Sequence, residues 1–382
     1  MENASYGFFI EENFFSLQAN GLENSFIVKS SPYGYTVNFT EEENPFVQIN
    51  QWFKDQPRNI LFIDKNVYTA YQDYLDVPQS QIFQAQADED FKTLEGALKL
   101  IDFLQEHNFT KAEKLIVLGG GVIQDVAALV GALYKRGIAW EFFPTTLLAM
   151  CDSCIGAKAS INYRNTKNQL GLFGAPKEVF INVNFLKSLN ARQIKSGLGE
   201  MFKLCVTGGE RAYWMFTQKT QAGKVNNLRD YQELIKLALS VKKSVIEVDE
   251  FDKSFRKGLN YGHTFGHALE TLTDYAVPHG QAVVAGMVIA NELSARKDLL
   301  SQNINQDLFI QAQKLLDEES KTAIKQMDLS KLKELLRRDK KAMGNSLNLV
   351  LLRNFGHLVF YSVEMNEDFF AQIYAIIKKL LI

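Results

Sequence analysis

A short apolar run that leads into three consecutive glycines constrains the fold of this chain more than any other feature. Residues 115–118 are apolar throughout, as in a strand buried on both faces of a parallel sheet. Gly119, Gly120 and Gly121 follow, and residues 122–133 have helical apolar spacing. At such a junction, backbone N–H groups can approach a pyrophosphate. The G-x-G-x-x-G pattern is absent, however, so a glycine turn without a ligand fits the junction equally well.

The rest of the chain divides into two regions with different patterns. Up to about residue 185, strands alternate with helices: strands 59–63 and 140–143, helix 93–107, and a hairpin formed by 25–30 and 35–39. Helical periodicity then dominates, at 191–204, 231–248, 260–271, 281–297, 305–316, 329–338 and 368–381, with 347–352 either a strand or irregular. We therefore predict an α/β nucleotide-binding domain at 1–187, including an N-terminal extension. A mainly α-helical metal- and substrate-binding domain follows at 188–382, with ligands bound in a cleft between the two.

Charge and composition exclude several classes of protein. Lys plus Arg number 42 and Asp plus Glu 44, so the chain has no overall basic field and we expect no nucleic-acid partner. No apolar run reaches 18 residues, so we expect no membrane partner. The acidic N-terminus does not resemble a secretory signal, and three cysteines make a disulfide framework improbable, so we expect a cytoplasmic protein. Cys151-x-x-Cys154 lacks the second pair that a zinc ribbon needs, and packing is its simpler explanation.

Three of the five histidines lie within 17 positions. His263 and His267 are four residues apart on one helix and so share a face, while His279 follows a turn at Pro278. Two imidazoles and a carboxylate form a good zinc set with an open position. The H-E-x-x-H order of metalloproteases is absent, and the spacing leaves open which histidines are ligands and which are core residues.

Two further segments carry charge at suggestive spacing. Glu200 and Lys203 lie three residues apart on a predicted helix, which fits a surface ion pair as well as a site. Residues 152–168 form a glycine-bearing loop in the prediction, with positive charge at Lys158 and Lys167. Such a loop suits phosphate or simply a solvated surface. Together with the glycine junction and the histidines, these segments indicate a nucleotide, a divalent metal and an anionic substrate.

Taken in order, these segments resemble the sugar phosphate cyclase family that includes 3-dehydroquinate synthase. The matching text is Glu89-x-x-Lys92, GGGVIQD (119–125), YKRG (134–137), PTTLLAMCDSCIGAK (144–158), KNQLG (167–171), SGLGEMFK (196–203), Lys242, Arg256, LNYGHTFGHALE (259–270), His279-Gly280 and Asp-Lys-Lys at 339–341. The resemblance extends over about residues 55 to 345. No single segment is specific, but their combination in this order is.

The resemblance implies a role for each matching residue. Zn²⁺ or Co²⁺ would be bound by Glu200, His263 and His279. Phosphate would be bound by Lys158, Asn168, Asn260, His267, one of the lysines at 340–341 (Lys341 in our assignment), and Arg136 from a neighbouring subunit of a homodimer. The catalytic residues that contact substrate would be Asp152, Lys203, Lys242, Arg256, Asn260 and His267. NAD would be bound by Glu89, Lys92, Gly120, Gly121, Asp125, Thr145, Thr146, Asp152, Lys158 and Lys167.

The resemblance also implies a redox-neutral reaction on a small sugar phosphate. In this family, NAD takes a hydride from a substrate hydroxyl, phosphate is eliminated, the hydride returns, the ring opens, and an aldol step closes a carbocycle. Asn260 and His267 favour the 3-dehydroquinate synthase reaction, a lyase step of the shikimate pathway that starts from a seven-carbon keto acid phosphate. The alternatives are a paralogous cyclase acting on sedoheptulose 7-phosphate or another sugar phosphate in secondary metabolism, and a metal-dependent polyol dehydrogenase.

Three positions depart from the family pattern. Gln124 and Ala157 replace glycines, and Gln281 replaces a glutamate after the His-Gly pair. These departures support the paralogue, because they could mark a different substrate. The lysines expected at the phosphate argue against the dehydrogenase, because a simple alcohol needs no such pocket.

Overall fold

A computed structural model describes residues 6–18, 21–31, 33–164, 166–221, 223–337 and 342–381. The chain divides into two compact units. Leu22–Leu189 form one, here called the sheet unit, and Met1–Gly21 with Asn190–Ile382 form the other, here called the helical unit. No helix within the described ranges is both long enough and apolar enough to cross a membrane.

The elements are numbered along the whole chain. The strands are β1 (Gly7–Ile10), β2 (Asn13–Ser16), β3 (Ser25–Val28), β4 (Tyr35–Phe39), β5 (Ile60–Asp64), β6 (Ile82–Ala85), β7 (Leu115–Gly119), β8 (Trp140–Pro144), β9 (Lys158–Tyr163), β10 (Thr166–Phe173), β11 (Glu178–Ile181), β12 (Thr220–Gln221), β13 (Lys224–Val225), β14 (Ala342–Met343), β15 (Ser346–Asn354) and β16 (His357–Glu364). The α-helices are α1 (Val47–Asp55), α2 (Lys65–Tyr71), α3 (Leu94–Glu106), α4 (Gly121–Leu133), α5 (Ala191–Thr207), α6 (Glu210–Lys219), α7 (Leu228–Ile246), α8 (His263–Leu272), α9 (His279–Arg296), α10 (Gln302–Leu315), α11 (Glu318–Gln326), α12 (Leu332–Arg337) and α13 (Glu367–Leu380).

The sheet unit is built on a seven-stranded sheet in the order β3-β4-β11-β8-β7-β5-β6. Neighbouring strands are parallel from β4 to β6, and β3 pairs antiparallel with β4. Every residue of β5, β7 and β8 is buried, which explains their continuous apolar sequences. The predicted α/β architecture and the hairpin formed by β3 and β4 are confirmed.

The order of the strands indicates that a ligand would bind near the carboxyl end of β7. The chain passes from β5 to β6 on one side and then returns to β7 on the other, so the strand order reverses between β5 and β7. In open α/β sheets, ligands bind at the carboxyl ends of the strands near such a reversal. β7 ends at Gly119 and α4 begins at Gly121, so the glycine junction lies at this end of the sheet.

The segment predicted as a charged loop at 152–168 is a correction to the sequence analysis. A π-helical turn covers Ala149–Ser153, and β9 and β10 then form an antiparallel hairpin. The loop prediction was wrong because β10 has mostly exposed residues and therefore lacks the apolar alternation that marks a half-buried strand.

The helical unit is organised around α9. Almost the whole surface of this helix is buried, as expected for a helix with apolar residues on all sides. Helices α5, α8, α10 and α13 and strand β15 all pack against it. The helix predicted at 260–271 is shorter in the structure, because residues 255–260 form a 3₁₀ helix before α8 begins.

Glycines allow α5, α8 and α9 to approach closely. A Cβ on Gly280 would lie 1.7 Å from the backbone oxygen of Ser196, and a Cβ on Gly199 would lie 2.2 Å from the oxygen of Gly280. Gly286, also on α9, allows a similar approach to α8: a Cβ there would lie 2.0 Å from the backbone oxygen of Gly262, the residue that precedes α8. Side chains near these crossings can therefore meet within a few ångströms.

The helical unit also contains a sheet that the sequence analysis did not predict. Its strand order is β14-β15-β16-β1-β2, so the two ends of the chain share one sheet. We predicted residues 1–187 as one domain, but the unit that contains Asn190–Ile382 also includes Met1–Gly21. The pairing of β1 with β16 joins positions almost 350 residues apart, and local sequence patterns carry no signal for such a contact.

Candidate functional site

Glu200 is the centre of the candidate site in the helical unit. It lies on α5, whose first turn is fixed by a capping box between Asn190 and Gln193. Both Glu200 and Lys203 are buried, and the Lys203 Nζ lies 2.6 Å from Glu200 Oε2. Burial alone would raise the pKa of the Glu200 carboxyl, but Lys203 and His263 hold it well below its usual value. Glu200 is therefore an anion in the interior of the protein.

Two histidines approach this carboxylate from different helices. His263 is the first residue of α8 and His279 the first residue of α9. The Nε2 atoms of His263 and His279 lie 3.5 Å and 3.2 Å from Glu200 Oε1. His267, one turn along α8, joins them, and the candidate ligand atoms of the three histidines lie within 4.8 Å of one another.

These donor atoms fit a divalent metal ion. Both carboxylate oxygens of Glu200 are buried, with the Lys203 ammonium beside Oε2 and the two imidazoles beside Oε1. Two ligands of a tetrahedral zinc ion, each at about 2.1 Å, are about 3.4 Å apart. The separations from Glu200 to His263 and His279 match this value. An ion at this position would have one carboxylate and two imidazoles as ligands, a common set for zinc.

The second ring nitrogen of each of these histidines also has a partner. His279 Nδ1 lies 3.1 Å from Glu270 Oε2, and His263 Nδ1 lies 3.2 Å from the backbone oxygen of Tyr261. Such contacts orient the rings and direct Nε2 towards the metal position. Burial lowers the pKa of His263 well below its usual value, whereas at His279 the opposing effect of Glu200 and Glu270 outweighs burial and raises the pKa to about 10.

The predicted substrate residues of the helical unit lie on neighbouring elements. Lys242 is buried on α7, which packs against α5, and Arg256 is buried in the 3₁₀ helix Phe255–Asn260. Asp249 accepts hydrogen bonds from the backbone N–H groups of Lys253, Ser254 and Arg256, and these bonds outweigh burial and lower its pKa. The unit thus contains buried cations that suit an anionic substrate.

In the sheet unit, the start of α4 has the features of a phosphate-binding site. Gly120 is the N-cap residue, and no side chain caps the helix. A Cβ on Gly121 would meet nothing closer than the Ser153 hydroxyl at 4.0 Å, so the space above the backbone is open. The hydroxyl of Thr145, which follows β8, is buried without a hydrogen-bond partner. The exposed N–H groups and the helix dipole favour an anionic group, and these residues fit the pyrophosphate of NAD.

Lys92 connects two of the other predicted residues. Its Nζ lies 2.7 Å from Asp125 Oδ2 on α4 and donates to Asn168 Oδ1 on β10 at 2.8 Å. Burial raises the pKa of Asp125 to about 6, against the opposing effect of Lys92. The structure therefore brings together two residues assigned to NAD and one assigned to phosphate.

Glu89 and Lys167 form a second pair beside Lys92. Lys167 Nζ lies 2.9 Å from Glu89 Oε1, and the Asn162 side-chain amide donates to Glu89 Oε2 at 2.7 Å. These contacts outweigh burial and lower the pKa of Glu89. Asn162 was not predicted. It lies on β9, and it was missed because the sequence analysis did not predict the β9–β10 hairpin.

The other predicted residues occupy separate positions. Thr146 lies beside Gly120, Asp152 is in the π-helical turn, Lys158 is exposed at the start of β9, and Arg136 is exposed in the turn after α4. Asn260 ends the 3₁₀ helix in the helical unit. Lys341 lies outside the described residues.

Two of the three departures from the family pattern have internal partners. The buried Gln124 side chain donates to the Ser153 backbone oxygen at 2.7 Å and accepts from the Ser153 hydroxyl at 2.7 Å. The buried Gln281 amide donates to Asp317 Oδ2 at 2.7 Å, and its oxygen accepts the Asp317 N–H at 2.8 Å. Ala157, the third departure, has a φ of +58°, a conformation that costs less for glycine.

Comparison with known proteins places these two regions in one family. Residues 82–196 match the family described as 3-dehydroquinate synthase N-terminal, and residues 197–342 match the one described as 3-dehydroquinate synthase C-terminal. The N-terminal hairpin and the strands β15 and β16 lie outside both matches.

Curated relatives agree with this assignment, and a solved structure shares the fold. The chain is 32% identical to the 3-dehydroquinate synthase of Streptococcus pneumoniae over 340 residues, which cover 85% of this chain and 94% of that protein. It is 33% identical over 336 residues to the bifunctional 3-dehydroquinate synthase/phosphatase of Fusobacterium nucleatum, and there it spans about half of the relative, 49%. A crystal structure of 2-deoxy-scyllo-inosose synthase, complexed with carbaglucose-6-phosphate, NAD⁺ and Co²⁺, has the same fold. It superimposes with a TM-score of 0.78 at 22% identity, over 93% of this chain and 99% of that one.

Proposed function

The chain belongs to the 3-dehydroquinate synthase family, and from this membership we propose that it is an NAD- and divalent-metal-dependent cyclase that forms 3-dehydroquinate from a seven-carbon keto acid phosphate. One observation carries the proposal. The buried Glu200 carboxylate lies 3.2 Å and 3.5 Å from two imidazole nitrogens on two different helices. This donor set suits an ion that polarises a substrate oxygen.

The cofactors would supply the redox and Lewis-acid chemistry, and the residues of the chain would hold them in place. When bound, NAD would supply a hydride acceptor that is regenerated within one turnover, and Zn²⁺ or Co²⁺ would supply a Lewis acid. Glu200, His263 and His279 would hold the ion. The open backbone at Gly120 and Gly121, with Thr145, Lys92 and Asp125, would hold NAD.

The buried cations of the helical unit would bind and orient the substrate. The planar guanidinium of Arg256 matches a carboxylate with two parallel hydrogen bonds. Lys203 and Lys242 would contact the ring oxygens, and Asn260 and His267 would contact the phosphate. In the sheet unit, Asp152 would contact substrate, while Lys158 and Asn168 would contribute to phosphate binding. Charge-assisted hydrogen bonds of this kind favour the release of an anionic leaving group.

Two of the three departures from the family pattern are explained by contacts within the protein. Gln124 and Gln281 direct their amides to Ser153 and Asp317, which are protein partners. Such paired, buried amides serve packing, so these two positions give no reason to propose a different sugar phosphate.

We further infer that the enzyme works as a homodimer in which Arg136 binds phosphate in the neighbouring subunit. Arg136 is exposed in the turn after α4, as an arginine that serves another subunit must be. Light scattering should give twice the chain mass of 43.4 kDa. Arg136→Ala should raise the KM for substrate without releasing zinc. A monomer with full activity would refute this inference.

The test of the proposed function is phosphate release by the purified protein with NAD and zinc. Seven-carbon heptulosonate phosphate and sedoheptulose 7-phosphate are offered in parallel, and the carbocyclic products are identified by mass. We expect turnover of the heptulosonate phosphate to 3-dehydroquinate, with no net NADH.

Other outcomes separate the alternatives. Turnover of sedoheptulose 7-phosphate alone would be consistent with the fold and the proposed metal site. It would assign the enzyme to the paralogous cyclases. Net formation of NADH without phosphate release would indicate a dehydrogenase. Phosphate release from neither substrate would refute the proposal.

A further inference from the structure

We propose that the N-terminal hairpin, formed by β1 and β2 (Gly7–Ser16), is a positioning element for the 3₁₀ helix Phe255–Asn260 and so for Arg256 and Asn260. The inference rests on the roles given to these two residues in the proposed function. The hairpin lies outside the segments that match the family, and it belongs to the same unit as the 3₁₀ helix.

The hairpin is attached to the C-terminal sheet through its backbone. β1 pairs in parallel with β16, with Phe9 opposite His357. The Phe9 N–H donates to the Gly356 oxygen at 2.7 Å, and the Glu11 N–H donates to the Leu358 oxygen at 2.8 Å. These bonds define the register of β1 and therefore which of its side chains face inwards.

The two faces of the hairpin differ sharply. Phe8 and Ile10 are fully buried and Phe15 is 6% exposed, whereas Phe14 is 41% exposed on the outer face. The rings of Phe8 and Phe15 stack with centroids 5.3 Å apart. Adjacent phenylalanines on β2 thus occupy opposite environments. On the outer face, the Phe14 ring packs against Phe9 of β1, with centroids 5.1 Å apart.

The inner face packs directly on the 3₁₀ helix. The Phe15 ring makes an edge contact with the ring of Phe255, with centroids 5.7 Å apart. Side-chain carbons of Ile10 lie 3.0 Å, 3.1 Å and 3.4 Å from the position that a Cβ on Gly258 would occupy. Phe255 precedes Arg256, and Gly258 lies between Arg256 and Asn260. The hairpin therefore contacts the 3₁₀ helix at Phe255, immediately before Arg256, and at Gly258, two residues after it.

Polar contacts fix the two ends of the same segment. Before it, Asp249 accepts the N–H of Arg256 at 3.0 Å. After it, the buried Tyr261 hydroxyl donates to Asn291 on α9. Short 3₁₀ helices have poor intrinsic hydrogen-bond geometry, so neighbouring groups determine where they lie. Helix α7 and strands β15 and β16 also pack against the 3₁₀ helix, and the hairpin adds the contacts of Phe15 and Ile10 between these two polar anchors. A shift of the segment at these contacts would move the Arg256 guanidinium.

Neighbouring residues of β2 provide a matched pair of variants. Phe15→Ala removes the ring that contacts Phe255, Phe14→Ala removes an exposed ring of the same size, and Phe15→Leu keeps apolar volume at the inner position. Each variant is measured in two ways: by hydrogen exchange of the amides at 255–260 without ligands, and by steady-state kinetics with heptulosonate phosphate, alongside NAD affinity.

We expect Phe15→Ala to increase exchange at 255–260 at least tenfold and to raise the KM for heptulosonate phosphate by about tenfold or more, because small displacements of a binding group cost that much. Phe14→Ala should leave both within twofold, and Phe15→Leu should recover most of the loss. NAD affinity should not change, because the predicted NAD residues belong to the sheet unit.

Two results would overturn the proposal. The first is unchanged exchange at 255–260 in Phe15→Ala, whatever the activity. The second is a lower melting temperature with unchanged KM, since the hairpin would then only stabilise the unit. If Phe15→Ala does not fold, Ile10→Val and Phe15→Leu give the same comparison with smaller cavities. Absence of turnover in the wild type refutes the proposed function instead, and the exchange measurement still decides the role of the hairpin.

Discussion

Two possible sets of zinc ligands differ by a single residue. His263 and His279 belong to both, and the third ligand is either Glu200 or His267. Glu200 is fully buried and lies at ligand-to-ligand distance from both shared histidines, whereas His267 is exposed. Exposure suits a phosphate contact better than a ligand of a buried ion, so the first set is favoured.

Alanine variants of the histidines distinguish the two sets. His279→Ala should remove zinc and activity and leave the fold intact, because the two units have their own cores. His267→Ala should keep about one zinc per chain and raise the KM for the sugar phosphate. Zinc is measured by atomic absorption after dialysis, and circular dichroism controls for folding. Loss of zinc in His267→Ala, together with its retention in Glu200→Gln, would favour the three-histidine set.

Ala157 is a residue in an unfavourable backbone conformation. Its φ of +58° places a Cβ where L residues are strained, and the family pattern has glycine there. Ala157→Gly should raise the free energy of unfolding by up to about 1 kcal/mol in urea titrations. Ala159→Gly, on β9, is the matched control and should lower it by roughly 0.5–1 kcal/mol. Destabilisation by both changes would show that Ala157 is not strained.

Asp125 links stability to pH. Burial raises its pKa from 3.8 to about 6, so between these values the folded state binds a proton that the unfolded state has lost. The contribution of Asp125 to the free energy of unfolding should therefore fall as pH rises from 4 to 6, by about 3 kcal/mol at most. The difference between wild type and Asp125→Asn, measured by urea unfolding at pH 4, 5 and 6, should fall accordingly. A difference independent of pH would contradict the raised pKa.

At the residue scale, the sequence identified the side chains of the candidate site better than the residues that orient them. The spacing of His263, His267 and His279 and the family resemblance together identified the residues that the structure brings around Glu200. Glu270, the partner of His279 Nδ1, was missed. Its contact depends on how α8 crosses α9, and neither helix encodes that crossing in its own periodicity.

At the scale of elements, the crossing of α5 and α9 positions the candidate metal ligands. Gly280→Ala would place a Cβ 1.7 Å from the Ser196 oxygen, so the helices must separate or the backbone must shift. We expect a loss of about 3 kcal/mol or more in the free energy of unfolding, and loss of zinc, because Glu200 and His279 are on these two helices. Calorimetry and metal analysis check both effects. An unchanged melting temperature with full zinc would show that the crossing tolerates a methyl group.

Elements with a strong local pattern were predictable, and those defined by distant pairing were not. The buried strands β5, β7 and β8 were predicted from short, continuous apolar runs. The helices α3 to α5 were predicted from apolar periodicity. The β9–β10 hairpin did not, because β10 is largely exposed. Residues 347–352 remained ambiguous because the assignment of β15 depends on β16.

At the scale of the whole molecule, all three cysteines lie in the buried interior of the two units. Cys151 and Cys154 are buried thiols in the sheet unit, and Cys205 is a third in the helical unit. Burial raises the pKa of the Cys205 thiol and makes it unreactive. A colorimetric thiol reagent should detect no cysteine in the native protein within minutes and three after denaturation. A rapidly reacting native thiol would indicate an open core in one unit.

Which segments of the chain form each unit was the part of the architecture least predictable from the sequence. The boundary predicted near residue 187 lies close to the Leu189–Asn190 division, but the assignment of residues 1–21 differs. Apolar residues in β1 and β2 predict burial without indicating the surface that covers them. Only the tertiary structure pairs them with β16.

The parallel pairing of β1 with β16 also sets an order for biosynthesis. Phe9 leaves the ribosome long before its partner His357 has been made. At about 5–20 residues per second, the first strand waits roughly 20 seconds to a minute before its neighbour exists. Leu22–Leu189 are complete well before that, so the sheet unit can fold during translation while the aromatic N-terminal segment remains unpaired. Maturation of the metal-ligand unit is therefore a late event, and in that interval the nascent chain exposes an apolar strand that chaperones are suited to protect.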